Sequence, residues 1–227
     1  MKERPIIFNG EMIRAILNGH KIQTRRIMKP QPSSCTQGGF WWPSDKHHTM
    51  LHVEKALQNS EGIWKGIAGD ACPFGTVGDR LWVRETWARY NIDKDSYDMA
   101  YRATTPHDWP KEGRWRPSIH MPRWASRILL EITDVRVERL NSISHEDAER
   151  EGIHTEVWDQ TVVAKNYAAE DQIFQFWSED MPHYVEMNEL FRASFRSLWQ
   201  SIYGAESWQA NPWVWVIEFK RVECGAV

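Results

Sequence analysis

Cysteine is scarce in this chain: three residues in 227, Cys35, Cys72 and Cys224, an odd number and far apart. That argues against a disulfide framework and fits a reducing cytoplasm. Long apolar runs are missing as well. No stretch approaches the roughly 18 apolar residues of a membrane span, so no membrane partner is expected. The opening Met1-Lys2-Glu3-Arg4-Pro5 leads into no apolar segment, so no signal peptide is expected either. Net charge is only −3, which provides no bulk field toward nucleic acid or acidic lipid. Neither GxGxxG nor GxxxxGK(S/T) occurs, so a Rossmann site or a P-loop has no support. There is no internal repeat and no low-complexity tract. What is abundant is tryptophan: 14 residues, against 8 Phe and 6 Tyr. Indole is flat and large and carries one N–H donor, so it serves a core or a flat-ring ligand equally well.

Hydrophobic periodicity outlines one domain over residues 1–227. Arg4–Phe8 reads as a strand. Asn9 caps a helix over Gly10–Asn18, with Met12, Ile13, Ile16 and Leu17 on one face and Gly19 ending it. Thr24–Met28 reads as a strand. Residues 30–76, rich in Pro, Gly, Ser and His, read as a long irregular insertion. A Gly78-Asp79 turn introduces a strand over Leu81–Glu85, with Tyr97–Ala103 as its partner. Arg127–Leu140 alternates as a long strand. Ser144 caps a helix over His145–Glu151 that ends at Gly152. Residues 154–185 read as a second inserted loop. Asn188–Tyr203 is an amphipathic helix with Phe191, Phe195, Leu198 and Ile202 on its apolar face, and Trp213–Val222 is a final strand. Short strands interleaved with helices give an α+β class with a small mixed β-barrel, flanking helices and two long inserted loops.

One segment stands out chemically. Gly19-His20-Lys21-Ile22-Gln23-Thr24-Arg25-Arg26 places an ammonium, a hydroxyl and two guanidiniums directly after a helix end. Taken singly, each residue reads as part of a basic, solvated turn. As a set, Gly19, Lys21, Thr24 and Arg26 fit the pattern G-x-K-x-x-(T/E)-x-R. The strand after Gly78-Asp79 and the run Ser144-His145-Glu146-Asp147-Ala148-Glu149-Arg150-Glu151-Gly152 complete the likeness. On these residues the chain resembles the ASCH domain family, relatives of the PUA RNA-binding fold, over roughly 4–29, 78–152 and the last strand. It is also similar to the large ASCH-like proteins carried by prophages of enteric bacteria. The resemblance implies a PUA-like barrel. Some members of the family bind RNA, and small bacterial members hydrolyse N4-acylated cytosine nucleosides with a Lys, a Thr and a Glu. By motif position those residues are Lys21, Thr24 and Glu85 here.

The chemistry is coherent. A Thr hydroxyl becomes a nucleophile only when a base takes its proton. A lysine, ordinarily protonated below ~10.4, serves as that base only if burial or neighbouring cations depress it, and Arg25 and Arg26 are neighbours in sequence. A neutral Glu85 behind an apolar wall would protonate the cytosine ring. Arg26 is a contact for the oxyanion or substrate, and Trp82, Trp87, Tyr101 and Trp124 are wall residues. The expected activity is hydrolysis of an N4-acylcytosine nucleoside such as N4-acetylcytidine, with a small-molecule substrate and no cofactor.

The alternative is a non-catalytic RNA-binding module. Basic residues gather at Lys21, Arg25, Arg26 and Lys29, and again at Arg114, Arg116, Arg123 and Arg127, with Trp115 and Trp124 interleaved. A zinc site at Cys35, His48, His52 and Cys72 has weak spacing, and loop histidines with structural cysteines is the plainer reading. Trp199, Trp213 and Trp215 read as core. Trp41, Trp42, Trp64, Trp109 and Trp115, in irregular segments, are expected to roof the pocket. Oligomeric state is not legible.

Overall fold

The computed structural model describes residues 1–36, 38–58, 62–89, 98–110, 113–158, 161–169, 172–176 and 184–222; Cys224 lies outside them. Its strands are β1 (Glu3–Ile7), β2 (Gln23–Ile27), β3 (Ser33–Ser34), β4 (Phe40–Ser44), β5 (Thr49–His52), β6 (Arg80–Arg84), β7 (Trp87–Arg89), β8 (Met99–Tyr101), β9 (Leu129–Arg139), β10 (Thr155–Trp158), β11 (Thr161–Lys165), β12 (Ile173–Phe176), β13 (Tyr184–Val185) and β14 (Trp213–Val222). Its helices are α1 (Gly10–Leu17), α2 (Val53–Ala56), α3 (Ile67–Ala71), α4 (His145–Arg150), α5 (Met187–Tyr203) and α6 (Ala205–Gln209). No helix among the described residues is long and apolar enough to cross a membrane.

The last strand organises the rest. Trp213-Val214-Trp215-Val216-Ile217 is apolar at every position, and all five residues are buried, as a strand covered on both faces requires. β14 accordingly lies inside a five-stranded sheet of order β1-β6-β9-β14-β2. β1 and β6 are parallel, and the other pairs are antiparallel. Strand alternation sends Trp213, Trp215, Ile217 and Phe219 into the larger core with Ile6, Phe8, Leu81, Val83 and Val137. Val214 and Val216 enter a second core with Leu140, Ala148, Phe195, Leu198 and Trp199 from the α4–α5 side. The three indoles read as core are therefore buried.

The α+β class stands, but the barrel does not close among the described strands. β1 and β2 remain the two ends of the main sheet. They are joined through a side chain: Arg26 Nη2 donates to the Ile7 carbonyl at 2.7 Å, and its guanidinium covers the Phe8 ring at 5.1 Å. A long, polar residue at that position bridges the edges where a backbone ladder would seal them.

Caps fall where the residues direct them. The Asn9 side chain accepts from Met12 N–H, and the Ser144 side chain accepts from Asp147 N–H. The two insertions, however, are built structures. Within 30–76, β3, β4 and β5 form an antiparallel sheet, and Trp42, Leu51, Val53, Ala56 and Leu57 belong to the larger core. Within 154–185, β10 to β13 form a four-stranded sheet, and Ser194 of α5 donates to the Lys165 carbonyl at the end of β11. Short strands broken by Pro, Gly and His carry too few alternating positions to announce themselves. The expected partner of Leu81–Glu85 also changes: β8 pairs with β7, not with β6.

Candidate active site

A cavity of about 550 Å³ opens where the ends of β1 and β6, strand β2, the first turn of α1 and the C-terminal half of α5 converge. Thr24, Arg26 and Glu85 all line it. Thr24 and Arg26 pair with Ile217 and Trp215 of β14, so both project to the same face of the sheet. The Thr24 side chain is buried. Glu85, just past β6, is 2% exposed.

Lys21 lies behind this wall. The chain leaves α1 through Gly19 in the left-handed region, φ 77°, and then joins the end of α4: Ile22 N–H donates to the Arg150 carbonyl at 3.0 Å. Lys21 Nζ donates to the Glu151 carbonyl at 2.7 Å and to Glu151 Oε2 at 2.8 Å. Its side chain is fully buried. The approach depends on Gly152: a Cβ there would sit 2.5 Å from Lys21 Cβ and 2.8 Å from Ala15 Cβ. Burial pushes the Lys21 ammonium below the ordinary lysine range; Glu151 pulls the other way, and the charges of Arg26 and Arg25 reinforce the lowering.

Glu151 is the residue that sequence reasoning passed over. Its other oxygen, Oε1, accepts from Arg25 Nη1 at 3.1 Å. Arg25 Nη2 in turn reaches Glu138 and Asp147, both at 2.9 Å. Arg136 donates to Glu138 and Asp147 as well. Burial alone would raise Asp147, but hydrogen bonding and charge from Arg25, with Arg136, hold its carboxyl below the usual range. The result is a charged layer between the sheet and α4, and it anchors Lys21. Its one sequence signal was the terminal Glu of the Ser144–Gly152 motif.

Glu85 differs from expectation. Arg127 forks onto it, Nε to Oε1 and Nη2 to Oε2, each at 2.9 Å. With both oxygens accepting, the group has the geometry of a carboxylate rather than of a neutral acid behind an apolar wall. The four expected wall residues do not line the cavity; they lie behind this pair or on another face. Tyr101 is covered by the Arg127 guanidinium at 4.0 Å and donates its hydroxyl to the Ala125 carbonyl. Trp87 is buried against Met121 and Ala125, with Trp124 edge-on at 5.8 Å. Trp82 lies beneath the Arg84 guanidinium at 4.9 Å.

The aromatic walls come from elsewhere: Phe8, and Phe195, Trp199 and Tyr203 of α5. Trp199 does double duty, because a residue on the border of an apolar helix face can touch a core and a cavity at once. None of Trp41, Trp42, Trp64, Trp109 and Trp115 lines the cavity. Trp42 enters the core, and Trp109 stacks on Trp115 at 4.2 Å.

Within the two basic clusters, several cations already have partners. Lys21 and Arg25 are buried in ion pairs. Arg127 is spent on Glu85, Arg123 on Glu3, and Arg116 covers Trp87. As for a metal, no group of three His, Cys, Asp or Glu side chains gathers among the described residues. Cys35 is exposed, Cys72 is buried, and His52 pairs with Glu54. No family model, curated protein or solved structure matches this chain.

Proposed function

We propose that the chain is an ASCH-type, PUA-like amidohydrolase that removes the acyl group from an N4-acylcytosine nucleoside. The observation that carries the reading is the convergence of Thr24 and Glu85 on one aromatic-walled cavity, with a buried Lys21 behind it whose ammonium is destabilised by burial.

The reaction needs three things at this site. Neutral Lys21 takes the Thr24 proton, and Thr24 Oγ1 bonds to the acyl carbon. Arg26, already at the cavity wall, is a substrate contact. The C–N4 bond then breaks, and Lys21 returns its proton to N4, releasing cytidine. Water cleaves the resulting Thr24 ester, with Lys21 taking the water proton and restoring the hydroxyl. Glu85, held as a carboxylate by Arg127, accepts the amide N4–H and orients the group. That replaces the proton donation expected of a neutral Glu85. The aromatic side chains Phe8, Trp199 and Tyr203 offer flat faces to the pyrimidine.

Incubation with N4-acetylcytidine should release cytidine. Thr24→Val, nearly isosteric, should abolish release while leaving the fold intact. Lys21→Met should lower kcat by about 10²–10⁴-fold. No turnover by the native protein, or unchanged turnover in Thr24→Val, would overturn the reading.

A further inference from the structure

The charges around the cavity do not balance. Four guanidiniums, of Arg14, Arg25, Arg26 and Arg102, and two carboxylates, of Glu85 and Glu151, line it. Both carboxylates are already neutralised: Glu85 by Arg127, and Glu151 by Lys21 and Arg25. Arg25 is further matched by Glu138 and Asp147. Among the described residues three cations are left over. Arg14 Nη1 donates there only to the Ala103 carbonyl, at 3.1 Å. Arg26 Nη2 donates there only to the Ile7 carbonyl, and its buried Nε has no partner among the same residues. The exposed Arg102 side chain has no partner among the described residues. Glu11, the acid nearest Arg14 in sequence, is taken by Lys165.

Three guanidiniums facing a partly enclosed cavity repel one another, and folding tolerates them there at a cost. An anion would relieve that cost, and the planar fork of a guanidinium suits phosphate oxygens. Gly10, in the first turn of α1, lines the same cavity and adds the positive end of a helix. The volume of about 550 Å³ is ample for a drug-sized ligand and exceeds what a pyrimidine ring alone would fill. We infer that the ligand carries a phosphate, held by Arg14, Arg26 and Arg102: an N4-acylated cytosine nucleotide is bound in preference to the free nucleoside. The inference rests on the cytosine-nucleoside reading of the same cavity.

Calorimetric titration of the native protein with cytidine, cytidine 5′-monophosphate and cytidylyl-cytidine tests it without turnover. The monophosphate or the dinucleotide should bind at least about tenfold more tightly than cytidine, and the gap should narrow as salt rises. Tighter binding of the monophosphate assigns the site to mononucleotides; tighter binding of the dinucleotide assigns it to a polynucleotide strand. Arg102→Gln, at an exposed position that leaves the fold untouched, should lose about tenfold in monophosphate affinity and little for cytidine; Arg26→Gln should lose as much. Equal affinities for cytidine and both phosphorylated ligands would overturn the inference, as would full monophosphate affinity in both variants. If phosphate-dependent binding holds while N4-acetylcytidine and its monophosphate are not hydrolysed, the anion site stands and the amidohydrolase reading falls. Hydrolysis of N4-acetylcytidine with no phosphate preference removes the anion site alone.

Discussion

Glu151→Gln isolates what the buried charges contribute. The substitution keeps the size of the side chain and removes one negative charge that two cations share. Lys21 Nζ lies 2.8 Å from Oε2, and Arg25 Nη1 lies 3.1 Å from Oε1, with both basic side chains fully buried. A glutamine offers one acceptor oxygen and one NH₂ group, so one of the two cations then faces a donor. Arg25 retains Glu138 and Asp147. With the amide oxygen turned to Lys21, the ammonium keeps that acceptor and the residue 151 carbonyl at 2.7 Å but loses the negative charge. Removing one partner of a buried pair costs roughly 3–5 kcal/mol, and the partners left to Arg25 place the expected loss near the lower figure. In urea, at a slope near ~3 kcal/mol/M, the unfolding midpoint should fall by about 1 M. The same change removes the one influence that raises Lys21. The ascending limb of kcat/KM against pH should therefore move to lower pH while stability drops. Lys21→Met combined with Glu151→Gln should cost less than the sum of the single variants by about 0.5–3 kcal/mol. A midpoint shift under ~0.3 M, or a strictly additive double variant, would refute the reasoning.

Three further outcomes are expected. Gly152→Ala should destabilise more than Gly19→Ala: both have positive φ, but only the Cβ at 152 meets Lys21 and Ala15. At about 2–4 kcal/mol, thermal unfolding should drop on the order of 5–10 °C for Gly152→Ala, and equal losses in the two variants would contradict the clash. Leu57→Ala, at a fully buried position inside the 30–76 insertion, should cost about 2–5 kcal/mol in chemical denaturation; a loss below ~1 kcal/mol would mean that the insertion does not belong to the core. Below pH ~4 stability should decline. Asp147 and Asp79 are held below the usual carboxylate range by arginine partners against the opposing effect of burial, so their stabilisation is present above the unfolded value and lost as pH falls through the folded one. Asp147→Asn should flatten that decline, measured as urea midpoints between pH 6 and 2.5.

Local signals in the sequence proved sufficient for elements with strong periodicity or a cap. α1, α4, α5, β9 and β14 lie within two residues of their expected bounds. The motif position Thr24 lines one cavity with Glu85, since β2 and the end of β6 converge on it, and Lys21 lies behind that wall, held by Glu151. What stayed hidden depends on pairing between distant segments. Nothing near Glu85 in sequence announces Arg127, and nothing near Lys21 announces Glu151. The aromatic walls lie elsewhere for a related reason: irregular composition around Trp41, Trp109 and Trp115 suggests unsatisfied rings, while Trp41 meets the His52 ring at 4.9 Å and Trp109 stacks on Trp115 at 4.2 Å. Phe195 and Trp199 looked like ordinary helix core, and a helix that borders both a core and a cavity carries the same apolar stripe for each.

The order in which the chain is made gives the placement of β2 a kinetic meaning. β2 carries Thr24 and Arg26, yet among the described strands its one sheet neighbour is β14, distant in sequence, and Lys21 waits for Glu151, 130 positions away. A nascent chain that has already released β2 therefore has no sheet neighbour for it among the described strands until β14 has been synthesised. Assembly of the site and completion of the fold become one late, non-local event, of the kind that folds slowly. Chains that lack β14 should then leave the cavity wall unassembled, since β2 and β9 both pair with that strand.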